Sequence, residues 1–113
     1  MTPILVLVRD LLFASRIAAT ARAEGVEVRM LRDPVALANE AGERAIVDLN
    51  PPGVLAAAAA WRVAEPVTPR KVIGFVSHVD ADTIAAARAA GIDQVLARSA
   101  FVEKLPELLR ATR

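Results

Sequence analysis

Five short apolar runs recur along the chain, separated by longer segments of mixed character. Four of them are continuous: Ile4–Val8, Ala45–Leu49, Lys71–Val76 and Gln94–Ala97. Continuous runs of this length predict strands buried on both faces. The fifth, Val26–Leu31, alternates, with Val26, Val28 and Met30 on one side and Glu27 and Arg29 on the other. That pattern predicts an edge or half-covered strand. The segments between carry helix punctuation. Asp10 is placed to cap a helix over Leu11–Glu24 that Gly25 ends, and Asp33-Pro34 opens a short helix that Gly42 closes. Pro51-Pro52-Gly53 opens an alanine-rich helix to Ala64, stopped by Pro66, and Asp80 caps the stretch to Ala90 before Gly91. Ser99 is the expected cap of the last helix, where Pro106 predicts a kink or a late start.

Strand and helix thus alternate five times, which predicts a parallel α/β sheet with helices on both faces. Right-handed crossovers leave few arrangements, and the flavodoxin-like order 2-1-3-4-5 is the common five-strand solution. No linker or repeat interrupts the pattern, so residues 1–113 are expected to form a single domain.

Composition narrows the function. Hydrophobic residues make up 55% of the chain, largely because 24 of its 113 residues are alanine, a strong helix former that adds little bulk. The first apolar run stops at Arg9 and Asp10, far short of the ~20 residues a membrane helix needs. With no signal-peptide pattern either, a cytoplasmic location is expected. The absence of cysteine excludes a disulfide scaffold, a zinc ribbon and a thiol catalyst. A formal net charge of +1 and 4% aromatic residues argue against nucleic-acid binding.

In a sheet of this type, ligands bind beyond the carboxyl ends of the strands. The residues just past those ends are Arg9 and Asp10, Asp48 and Asn50, Ser77 and His78, and Arg98 and Ser99. They are expected to converge on one shallow crevice. Ser77 and His78 are adjacent and point to opposite faces, so they do not make a nucleophile–base pair. No enzymatic activity is expected.

On these residues the chain resembles the receiver domain of bacterial two-component response regulators over its full length. The segment Ile46-Val47-Asp48-Leu49-Asn50-Pro51-Pro52-Gly53 is similar to the loop around the phospho-accepting aspartate of that family, and Ser77 follows the fourth strand as its hydroxyl residue does. Ala90-Gly91-Ile92-Asp93 and the stretch from Phe101 to Leu105 add to the likeness. The resemblance implies Asp48 as phospho-acceptor and Ser77 and Arg98 as phosphoryl contacts. It also implies Mg2+ held by Asp10, Asp48 and the backbone carbonyl of Asn50.

The departures are specific. The family's acidic pair falls here on Val8-Arg9 or Arg9-Asp10, so at most one acid remains, and Mg2+ binding is expected to be weakened. Arg98 stands where the family has lysine, Ser99 where it has proline, and Val95 where it has an aromatic switch residue. The near-balance of charge is expected to be repeated in the crevice, with Asp10 and Asp48 facing Arg9 and Arg98. The resulting expectation is a stand-alone, atypical receiver that signals through protein contacts with a histidine kinase or a downstream effector. An alanine-lined surface would allow it to form a homodimer. The alternative is a sensor that binds a small anion or nucleotide through Arg9, Ser77 and Arg98 without turnover.

Overall fold

A computed structural model describes residues 3–65, 67, 69–77 and 80–110. Five strands, β1 (Ile4–Leu7), β2 (Val28–Leu31), β3 (Arg44–Asp48), β4 (Lys71–Val76) and β5 (Gln94–Ala97), form one parallel sheet in the order β2-β1-β3-β4-β5. Five helices connect and follow them: α1 (Leu11–Glu24), α2 (Pro34–Leu37), α3 (Val54–Ala64), α4 (Ala81–Ala89) and α5 (Arg98–Arg110). The order and class are those the alternating pattern predicts. Among the described residues, no helix is long and apolar enough to cross a membrane.

Alternation along each strand divides the interior into two cores. Ile4, Val6 and Val8 pack with Phe13 and Ile17 of α1 and with Phe101, Leu105 and Leu109 of α5. Leu5 and Leu7 face the other way, against Leu37 of α2, Trp61 of α3 and Ala87 of α4. The central strands β1 and β3 are buried over nearly their whole length, while β2 carries exposed Arg29 and Met30 at the sheet's edge.

The caps of α1 are as expected. Asp10 accepts from the N–H groups of Leu12 and Phe13, and Gly25 closes the helix at φ +70°, a left-handed conformation that costs glycine little. Asp33 caps α2 and Asp80 caps α4. Three local expectations are corrected. The second helix is a single turn that ends at Leu37, because the Asn39 and Glu40 N–H groups bond back three residues instead of continuing the α pattern. The strand expected from Val26 starts at Val28, since the N–H of Val26 bonds the Ala21 carbonyl as part of the α1 ending. Ser99 does not cap α5. The helix begins at Arg98, so Ser99 lies within its first turn, and Pro106 sits inside the same continuous helix. Four buried side chains on one face, Phe101, Leu105, Leu108 and Leu109, hold the helix against the sheet despite the hydrogen bond that proline removes. Pro66, the expected stop of α3, lies outside the described residues, as does His78.

Candidate functional site

The site lies where β1, β3, β4 and β5 end. Asp48 is the last residue of β3, the middle strand of the sheet, and shares the face of buried Ile46, the α1/α5 side. It is half-buried, and its Oδ1 accepts the N–H of Asn50 at 3.0 Å, which folds the loop back over the strand end. Asn50 in turn accepts the Ser77 N–H on its side-chain oxygen at 2.6 Å, joining the ends of β3 and β4. Among the described residues, no cation lies within salt-bridge distance of Asp48.

Arg98 and Asp10 form the other half of the site. Arg98 donates through one terminal nitrogen to Asp10 Oδ2 at 3.2 Å, while its Cζ lies 4.1 Å from the ring centroid of Phe13 and 5.9 Å from that of Phe75. Phe13, Phe75 and Phe101 pack as a cluster beneath it, with centroid separations of 4.5 to 5.8 Å. A guanidinium on aromatic faces gains cation–π attraction and gives up little hydration. The Nε of Arg98 is buried with no hydrogen-bond partner. The N–H of Phe13, and after it the Arg98 guanidinium and the N–H of Leu12, hold the Asp10 carboxyl below the usual carboxylate range, against an opposing effect of desolvation. Asp10, Phe13, Arg16, Ser77, Arg98 and Ser99 line one hollow of about 470 Å³.

The structure therefore brings Asp10, Ser77 and Arg98 together, and joins Asp48 to Asn50 and Ser77. It separates Arg9. Val8 is buried on the α1/α5 side, so Arg9 turns to the opposite face, where it lines a different hollow with Arg32, Asp33 and Pro34. The expected fourfold charge cluster is corrected accordingly: among the described residues only Arg98 and Asp10 of the four pair, Asp48 is not within ion-pair distance of either arginine, and Arg9 lines a different hollow from Ser77 and Arg98. Phe13 and Phe75 were not singled out from the sequence, although Phe75 stands two residues before Ser77 and thus on the same face of β4.

As they stand, these groups do not fit a divalent cation. Mg2+ requires near-octahedral oxygen ligands that are free to turn toward it. One Asp10 oxygen is committed to two N–H groups of α1 and the other to Arg98, and one Asp48 oxygen is committed to Asn50. An ion at Asp10 would have to displace a guanidinium already held by two aromatic rings.

No protein-family model and no curated protein matches the sequence. Solved structures match it in fold. A response regulator from Burkholderia pseudomallei, solved with a phosphorylated aspartic acid, a calcium ion and citrate, is 23% identical with a TM-score of 0.76, over 96% of this chain and 66% of that one. A response regulator from Thermotoga maritima is 20% identical with a TM-score of 0.76, over 98% of this chain and 97% of that one. A CheY-like receiver domain protein from Methanospirillum hungatei is 18% identical with a TM-score of 0.76, over 98% and 95% of the two chains. The chain has the fold of the response regulator receiver domains.

Proposed function

We propose that the chain, over residues 1–113, is an atypical receiver module that passes a signal through protein–protein contacts, with Asp48 as its phospho-acceptor. The observation that supports this reading best is the placement of Asp48. It is a half-buried carboxylate at the end of the middle strand, without a cationic partner among the described residues, and linked through Asn50 to Ser77. A carboxylate left free of cations keeps its second oxygen available as a nucleophile. Ser77 and Arg98 are the groups that would contact a phosphoryl group there. Asp10, Asp48 and the Asn50 carbonyl would hold Mg2+ only in competition with Arg98. The partners of such a module are a histidine kinase, a downstream effector or a second copy of the chain, in the cytoplasm and without turnover by the module itself.

The test is the intact mass after incubation with acetyl phosphate, with and without Mg2+. In the expected reaction an Asp48 carboxylate oxygen attacks phosphorus and acetate leaves. One added phosphoryl group should appear and be absent in Asp48→Asn. No added mass, under conditions that label a known receiver, would reject the acceptor role.

A second reading has one observation in its favour: Arg98 and Ser77 line the same hollow. A small oxyanion there would be bound by Arg98 and Ser77, without Arg9. In that case Arg98→Ala abolishes anion binding, while Asp48→Asn leaves it intact or tighter.

A further inference from the structure

The hollow that holds Arg9 belongs to neither reading above. It measures about 350 Å³ and is lined by Arg9, Arg32, Asp33 and Pro34. Strands β1 and β2 are parallel neighbours with Leu7 opposite Leu31, and the Val8 N–H extends the ladder to the Leu31 carbonyl at 3.2 Å. Arg32 therefore stands opposite Val8, with Arg9 one residue further along, and both arginines line the hollow past the ends of these neighbouring strands. Both are exposed, and neither side chain has an ion-pair or hydrogen-bond partner among the described residues. The carboxylate in this hollow, Asp33, uses Oδ1 to accept the Val35 N–H. Two guanidinium groups thus meet one partly committed carboxylate, and the corner is net positive.

Apolar surface adjoins it. Leu11 opens the helix that follows Arg9, and Val35 lies in the first turn of the one that follows Arg32. They are 64% and 74% exposed. Single exposed apolar residues need no explanation, but two beside two unpartnered arginines form a mixed patch of the kind that marks an interaction surface. Arginine suits this role because its planar fork takes a carboxylate through two parallel hydrogen bonds.

We propose that this corner docks an acidic segment of a partner protein. Carboxylates of that segment bind Arg9 and Arg32, and its aliphatic side chains cover Leu11 and Val35. The inference goes beyond the acceptor reading by naming the partner's chemistry, and it does not depend on phosphorylation.

The probe is a fluorescein-labelled synthetic peptide of glutamate and leucine at helical spacing, with a lysine–leucine peptide as control. Binding to the full chain is read by anisotropy. The acidic peptide should bind and the basic one should not. The double variant Arg9→Gln, Arg32→Gln should weaken binding by about tenfold or more, and Leu11→Ser by about threefold or more. Asp48→Asn should bind as the parent does, so loss of the acceptor role and loss of this surface are read separately. No binding of the acidic peptide, equal binding of the basic one, or full binding by the double variant would overturn the proposal. So would a hollow that takes inorganic phosphate, seen as shifts of the Arg9 and Arg32 side-chain resonances, but not the peptide. Far-ultraviolet circular dichroism confirms that these surface variants remain folded.

Discussion

Arg98 lies over Phe13 and beside Phe75 while it bonds Asp10, and no one of these contacts is visible in its immediate sequence. The same holds for Gly74. It sits in β4 between Val72 and Val76, on the face of the sheet that packs against α3 and α4. A Cβ at this position would come within 2.5 Å of Leu49 Cδ1 and 2.9 Å of its Cγ. The residue is glycine because Leu49, the first residue of the loop after Asp48, fills the space a side chain would need. Gly74→Ala should therefore cost about 1–3 kcal/mol, the usual range for overpacking, measured by urea unfolding. It should also disturb the Asp48–Asn50 turn, seen as altered amide resonances there. A neutral Gly74→Ala would show that Leu49 has room to move.

Helices and strands here are tied by a few long-range polar contacts as well as by the two cores. The clearest links α3 to the start of β5. Arg62 of α3 holds Asp93 through two hydrogen bonds of 2.9 and 2.8 Å, and the same carboxylate accepts the Val72 N–H of β4 at 2.7 Å. The Arg62 guanidinium first, and the Val72 N–H with it, keep the Asp93 carboxyl below the usual carboxylate range, against the opposing effect of burial. A carboxyl whose folded value is depressed contributes stability above its unfolded value of about 3.9, and that contribution disappears as pH falls through the folded value. Asp93→Ala should cost about 1–3 kcal/mol at neutral pH, mostly through the lost acceptor of the Val72 N–H. The gap to the parent protein should narrow as pH drops below about 4, by the part that depends on the ionised carboxylate, while the neutral carboxyl still accepts the Val72 N–H; this is read from urea unfolding at a series of pH values. A gap that stays constant down to the acid transition would mean that the ionised carboxylate contributes nothing. At this scale the sequence was largely legible. The α1 caps, the five strands and the helix order follow from periodicity and punctuation, whereas the early end of α2 and the start of α5 at Arg98 do not.

For the whole molecule, the question is which charges meet at the carboxyl end of the sheet. With Asp10 held by Arg98, the folded chain should bind Mg2+ too weakly to gain stability from it. Millimolar Mg2+ is then expected to leave the thermal midpoint of the parent protein unchanged. Arg98→Met, which keeps an unbranched apolar side chain at this position and removes the guanidinium, should free one Asp10 oxygen and make the midpoint rise with Mg2+, by an amount equivalent to about 1 kcal/mol at several times the dissociation constant. An equal rise in both proteins would show that the guanidinium does not block the ion. By itself the sequence determined the class of fold, the strand order and the set of residues at the strand ends. These depend on patterns of period 2 and 3.6 and on caps that act within a few residues. Only the tertiary structure decided how the strand-end residues group. It set Arg9 in a hollow with Arg32, laid Arg98 across Phe13 onto Asp10, and left Asp48 with no ion pair among the described residues. The reason is geometric: one residue's shift along a strand reverses the face to which a charge points, and the direction of a long arginine side chain is set by the rings and carboxylates that distant segments bring to it.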